Sequence, residues 1–230
     1  APKTDKKLVV IDPGHGGKDP GGTRKKGLTE KALNLAIAKE LEKLLTEDPV
    51  FDVLLTRASD YFLQLGQRSE ISNKNHADLF VSIHANASRS KRDNGFEVYY
   101  MSETASDPWA AEVAVFENAV LAWEEKQADD TATLLLRSLA RTEYLNEGSK
   151  LAGLTAKHVG REVPMIVNRG ARQAPFYVLR GTYAPAILVE SGFMTSPNDS
   201  THLNDKKVQK NIAKGLYKAI DEYARQRGWK

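Results

Sequence analysis

The apolar run Val9-Val10-Ile11 stops at Asp12-Pro13, and a glycine-flanked histidine follows at once in Gly14-His15-Gly16-Gly17. This pattern reads as a buried strand ending in a tight loop that holds His15 at the rim of a sheet. Glycines on both sides of His15 permit unusual backbone angles and let a ligand approach closely. In open α/β sheets, ligands sit outside the carboxyl ends of the strands, so chemistry is expected at this point of the chain.

The rest of the chain repeats the alternation. Asp12 to Gly27 is a glycine-rich loop. Thr29 is placed to cap a helix in which Ala32, Leu33, Leu35, Ala36, Ile37, Leu41, Leu44 and Leu45 recur at helical spacing. Glu30 then lies in its first turn, at the partly positive end. Val53-Leu54-Leu55 is a second strand, and Leu63 to Asn75 a helix. Leu79 to Ile83 is a third buried strand, with His84-Ala85-Asn86 at its end. Phe96 to Tyr100 alternates as a fourth strand.

From Ser102 to about Gly160 strand signals vanish. Trp109 to Glu125 is helical and acidic, and a second helical stretch runs from Asp130 to about Lys157. Residues 102–160 read as a helical insertion into one domain that spans 1–230. Strands are expected again at Pro164–Asn168, Phe176–Arg180 and Ala186–Val189, the last followed by Glu190-Ser191-Gly192. Asp205 to Gln226 is a closing amphipathic helix, with Gly228 as its stop. The expectation is an α/β fold: a mainly parallel twisted sheet with helices on both faces and a helical regulatory insertion.

Composition narrows the function classes. With 33 basic and 30 acidic residues the net charge is +3, too balanced for a nucleic-acid binder, and no basic helix face with interleaved aromatics occurs. The chain has no cysteine, which excludes disulfides and Cys-ligated metal. No apolar run is long enough to span a bilayer. The chain opens at Ala1 with no signal peptide in view, so a mature form or an excised domain is expected.

Three strand ends carry metal-capable residues, His15, His84 and Glu190, and Glu30 opens the first helix. Two imidazoles and one carboxylate form the ligand set of catalytic zinc sites, which leave one position open. A further carboxylate off the metal can then serve as general base and acid. Each residue also has a plain structural reading. His15 fits a loop histidine bonded to backbone, and Glu30 fits a helix-dipole carboxylate worth about 0.3–1 kcal/mol. His84 fits a satisfied histidine at a sheet edge, and Glu190 an ordinary surface carboxylate.

Taken together, four stretches resemble the zinc-dependent N-acetylmuramoyl-L-alanine amidases of the type-3 amidase family. They are Ile11-Asp12-Pro13-Gly14-His15-Gly16-Gly17, Glu30, Ser82-Ile83-His84-Ala85-Asn86 and Leu188-Val189-Glu190-Ser191-Gly192-Phe193. The resemblance implies one zinc ion on His15, Glu30 and His84, with Glu190 as the catalytic carboxylate. It implies cleavage of the peptidoglycan amide between the lactyl group of N-acetylmuramic acid and L-Ala of the stem peptide.

The insertion is similar to that of the family's cell-division branch, in which a helix covers the site and its glutamate occupies the zinc. On that basis Glu117 is the expected blocking ligand, with Glu112, Glu124 and Glu143 as rivals. The resemblance also implies a periplasmic monomer, activated by a protein with a degenerate LytM-type domain. Asn86, Glu97 and Arg172 are candidates for binding substrate. Arg57 and Arg68 are as readily salt-bridge partners as groove residues. His76, His158 and His202 read as structural. Trp109 and Trp123 read as apolar contacts of the insertion, or as part of a partner interface. Two other functions fit the same residues: a different zinc peptidase or deacylase on a related fold, or a non-catalytic peptidoglycan-binding module of the division machinery.

Overall fold

Val9 and Ile11 pack on one face of a sheet and Val10 on the other, as the two-residue period of a strand requires. The computed structural model describes residues 6–23, 27–123 and 131–230, the side chains of 123 and 131–141 excepted. Six strands form one sheet: β1 (Lys7–Pro13), β2 (Phe51–Leu55), β3 (Leu79–Asn86), β4 (Phe96–Met101), β5 (Asn168–Ala174) and β6 (Ala186–Phe193). Their order is β2-β1-β3-β6-β4-β5. All neighbours are parallel except β4, which runs antiparallel to β6. The sheet is therefore mainly parallel, and both its faces are covered by helices.

One face carries α1 (Glu30–Thr46), α4 (Thr131–Glu162) and α7 (Lys206–Gln226). Ile212, Leu216, Ile220 and Tyr223 form the buried stripe of α7, at most 1% exposed, against Leu33, Ile37 and Leu41 of α1 and Val159 of α4. The other face carries α2 (Leu65–Lys74), α3 (Pro108–Asn118) and the single-turn α5 (Tyr177–Arg180). A 3₁₀ turn, Ala119–Trp123, follows α3, and α6 (Pro197–Leu203) follows β6. The span 102–160 thus includes helix that packs as a layer of the main domain, since Leu151, Ala152, Ala156 and Val159 belong to its core.

Two expected strands are corrected. Residues 164–167 are a turn, and the strand begins at Asn168, where it was expected to end. Ile166 anchors that turn in the core while Met165 and Val167 are exposed, so its apolar letters do not form a strand face. The real strand is polar because it is the sheet edge, paired only with β4. Phe176–Arg180 is not a strand but one helical turn with Phe176 as its N-cap. Phe176, Val178 and Leu179 are buried, a spacing too short to separate period 2 from period 3.6. The helix expected from Trp109 ends at Asn118, and Glu124, Glu125 and Asp130 lie outside the described residues.

The parallel strands β1, β3 and β6 end together, so His15, His84 and Glu190 reach one rim. Because β4 runs antiparallel to β6 and β5 follows β4, the beginnings of β4 and β5 lie at that same rim. That topology brings Glu97 and Arg172 to the site.

Candidate functional site

His15 sits in the left-handed region at φ 59°, followed by Gly16 at φ 134° and Gly17 at φ 58°. A non-glycine residue held there is a strain of the kind that clusters at functional sites. Two buried arginines brace the loop from below. Arg57 donates to the carbonyls of Pro13 (Nε, 2.8 Å) and Gly14 (Nη2, 2.8 Å). Arg68 donates to Pro13 O (2.9 Å) and His15 O (2.9 Å), and pairs with Asp12 at 2.8 Å. Both arginines act on the loop backbone, and Arg68 also lines the cavity beside His15 and Glu117.

Asp12 itself is fully buried and accepts from Thr56 Oγ1 (2.6 Å), Ser82 Oγ (2.9 Å) and Arg68. Burial alone would raise its pKa, but Arg68 and Thr56 overcome this and hold it below the usual carboxylate range. Thr29 occupies the N-cap position of α1 without a side-chain cap bond. Glu30 points inward instead, where its carboxylate accepts from the backbone N–H groups of Gly22 (2.6 Å) and Ala85 (3.0 Å).

At the rim, four donor groups converge: His15, Glu30, His84 and Glu117, with ligand atoms all within 4.8 Å of one another. Glu30 Oε1 is 2.9 Å from His15 Nε2 and 3.2 Å from His84 Nδ1. Glu117 Oε2 is 2.9 Å from His84 Nδ1 and 3.5 Å from His15 Nε2. Ligands around a tetrahedral ion with bonds of about 2.0–2.1 Å stand roughly 3.3 Å apart, and these separations bracket that edge.

Both imidazole nitrogens are buried and have no hydrogen-bond partner among the described residues. Burial would lower the pKa of each ring, but Glu30 and Glu117 outweigh it and raise both to about 10. Two carboxylates facing two imidazoles thus favour positive charge between them, whether protons on the rings or a bound cation. Asp19 Oδ2, 2.8 Å from His15 Nδ1, fixes that ring and leaves Nε2 facing the cluster, as outer carboxylates of metal sites do. Asp19 is absent from the sequence-level expectation. A carboxylate four residues after a candidate ligand, in the same glycine-rich loop, was its only signal.

Glu190 lies beside His84 in strand register and beside Glu97 on its other flank. It is fully buried, and neither carboxylate oxygen has a hydrogen-bond partner among the described residues. Burial, with Glu117, Glu30 and Glu97 nearby, pushes its pKa well above the ordinary value. A carboxylate so tuned can exchange a proton with a reacting group.

The sequence matches the N-acetylmuramoyl-L-alanine amidase family over residues 9–222. The chain belongs to this family. It is 34% identical to N-acetylmuramoyl-L-alanine amidase AmiA of Escherichia coli K12 over 222 residues, covering 95% of this chain and 76% of that protein. Its fold matches the crystal structure of an N-acetylmuramoyl-L-alanine amidase from Clostridium difficile 630 with a TM-score of 0.77 and 28% identity, covering 98% of this chain and all of that one. It likewise matches amidase AmiC2 of Nostoc punctiforme with a TM-score of 0.75 and 32% identity, over 97% and 99% of the two chains. The chain is thus an amidase, and its rim cluster is where a metal ion can be held.

Of the expected blocking residues, Glu117 stands in the amidase cluster. Glu112 is exposed on α3, Glu143 lies on α4 near Arg227, and Glu124 lies outside the described residues. Asn86, Glu97 and Arg172 come together with Trp109 and Arg169 in a second cluster beside Glu190. Trp109 packs on Phe193, with ring centroids 5.6 Å apart, and donates its indole N–H to Glu97. His158 pairs with Glu222, away from the rim, and His76 sits in the turn after α2. The side chain of Trp123 lies outside the described part.

Proposed function

We propose that this chain is a zinc-dependent peptidoglycan amidase that cuts between the lactyl group of N-acetylmuramic acid and L-Ala of the stem peptide. It serves septal cell-wall splitting in the periplasm and is held inactive by its own helix α3. The observation that carries this reading is the fourth donor of the cluster. Glu117 comes from a helix outside the sheet, and it stands where a catalytic site would keep an open position.

His15, Glu30 and His84 would hold the ion, which when bound supplies Lewis acidity toward water and the scissile carbonyl. Glu190 takes a proton from the attacking water and returns it to the leaving nitrogen. Asp19 keeps His15 in the binding tautomer, and the two arginines hold the loop in its strained shape. Departure of Glu117 frees a coordination position and also removes one of the charges that raise the Glu190 pKa. Release of α3 therefore assembles the site and its base together.

Helix α3 is docked through Ala110, Val113 and Ala114, while Val115 (71%) and Phe116 (50%) stay exposed on its outer side. Those two residues offer a grip for an activator with a degenerate LytM-type domain. No helix among the described residues is long and apolar enough to cross a membrane.

The test is elemental analysis of purified protein, followed by digestion of isolated sacculi with the Glu117→Ala variant. About one zinc per chain and release of free peptides beginning with L-Ala support the reading. Failure to bind zinc even after reconstitution overturns it.

A further inference from the structure

Glu97 is 0% exposed and gathers five partners. Tyr99 Oη donates at 2.6 Å, Asn86 Nδ2 at 3.3 Å and Trp109 Nε1 at 3.0 Å. Arg169 Nε stands at 2.7 Å and Arg172 Nε at 3.2 Å. One buried carboxylate thus forms ion pairs with two guanidinium groups on their Nε sides. Their Nη ends are left for other partners, and both side chains remain partly exposed, at 24% and 22%.

In the closed state α3 occupies the Arg172 end and covers the face of Arg169, whose Nη1 donates to Asn94 O at 3.4 Å. Asp107, the N-cap of α3, pairs with Arg172 Nη1. Trp109 covers Arg169, whose guanidinium carbon lies 5.4 Å from the Trp109 ring centre and 5.4 Å from that of Phe193. The same helix that delivers Glu117 to the rim therefore delivers a carboxylate to Arg172, about three helical turns away along α3. When α3 lifts, the arginine pair loses Asp107 and Trp109 together. The pair then keeps Glu97 as its buried carboxylate partner, and the Arg172 Nη end and the Arg169 face that α3 covered open onto the groove.

We infer that Arg169 and Arg172 form a carboxylate-binding subsite for the leaving peptide, which Asp107 fills while α3 is closed. This rests on the amidase reading above. Glu97 and Glu190 are register partners on adjacent strands, about 5 Å apart at Cα, so the guanidinium groups paired with Glu97 lie beyond it, on the flank of the catalytic carboxylate away from His84. A peptide advances about 3.3–3.6 Å per residue, so a stem that runs from Glu190 across Glu97 brings its second residue, not its first, to the arginines. The second residue of the stem peptide, a D-glutamate joined through its γ-carboxyl, leaves its α-carboxylate free there. Its amidated form, isoglutamine, lacks the charge. The subsite thus selects glutamate-type over isoglutamine-type stems, through bidentate charge-assisted bonds that Arg makes best.

The experiment compares paired muropeptides bearing D-glutamate or D-isoglutamine at the second position, in the Glu117→Ala background. Both compounds meet the same enzyme, so their kcat/KM ratio is independent of the fraction that is open. The glutamate form should be preferred about tenfold or more, mainly through KM. Arg172→Ala should bring the ratio toward one, and Arg172→Lys should restore part of it. A parent ratio near one, or a preference that survives in both Arg169→Ala and Arg172→Ala, overturns the subsite.

A second readout needs no turnover. L-Ala-γ-D-Glu and its amide are titrated calorimetrically into metal-free chain carrying Glu117→Ala and Asp107→Asn. Tighter binding of the acid, lost in Arg172→Ala, supports the subsite; equal binding of the two overturns it. Binding preference without any cleavage would count against the amidase reading and leave the subsite standing.

Discussion

Glu117 Oε2 lies 2.9 Å from His84 Nδ1, although one residue belongs to α3 and the other to the third strand of the sheet. A carboxylate in that position excludes water from the cluster. Glu117→Ala should therefore raise basal activity without any partner, by about tenfold or more if the closed state dominates. Dye release from labelled sacculi reads this directly. A folded, metal-loaded variant with an unchanged low rate would overturn the blocking role.

Glu190 and His84 sit side by side in register but are expected to fail differently. Glu190→Ala should keep its metal and lose cleavage by about 100- to 10,000-fold, the usual contribution of a general acid–base. His84→Ala should lose both metal and cleavage. Measuring zinc content and activity on the same preparations separates the two roles. Near-normal cleavage by Glu190→Ala in the open background would exclude it as the base.

Gly14 is the point of closest backbone approach to the cluster. A Cβ added there would lie 2.2 Å from His84 Nε2, a distance no real contact tolerates. Gly14→Ala should displace the His84 ring and weaken metal binding about 10- to 100-fold, as loss of an orienting neighbour does. Competition with a chelator of known affinity measures it. Unchanged affinity would mean that the loop shifts freely, contrary to its bracing by Arg57 and Arg68.

Asp12 supplies a pH dependence. Its folded-state pKa is lowered, by Arg68 and Thr56 against the effect of burial. A lowered carboxylate contributes stability that is fully present above its unfolded value of about 3.9 and is lost as pH falls through the folded value. Asp12→Asn should cost about 3–5 kcal/mol at neutral pH, because it leaves Arg68 buried without its charge partner. The variant should also lose less additional stability than the parent between pH 6 and pH 3. Denaturant melts at several pH values test both, and parallel losses would remove Asp12 as the source.

Much of this was legible in the residues. His15, Glu30, His84 and Glu190 stand out because each sits just past an apolar run or at a helix start, where backbone geometry projects side chains to a rim. Glu117 could be named only through family resemblance, since its helix carries several acids at similar spacing and nothing local separates Glu117 from Glu112. Asp19 and Arg169 were missed for a different reason. Both act on another residue across space, His15 and Glu97 respectively, and sequence spacing carries little trace of such pairing. The polar edge strand holding Arg169 and Arg172 was misplaced by several residues, because an edge strand lacks the apolar pattern that marks buried ones.

The sequence by itself determined the alternation of strands and helices, the parallel core and the position of His15, His84 and Glu190 at strand ends, because these follow from local periodicity and turn chemistry. Tertiary structure alone decided which acid of α3 reaches the histidines, and that Glu97 ties two arginines beside Glu190 under the same helix. Those choices depend on how β4 reverses against β6 and how α3 docks on the sheet. Both are set by packing between segments distant in the chain, where burial of apolar surface outweighs any local preference.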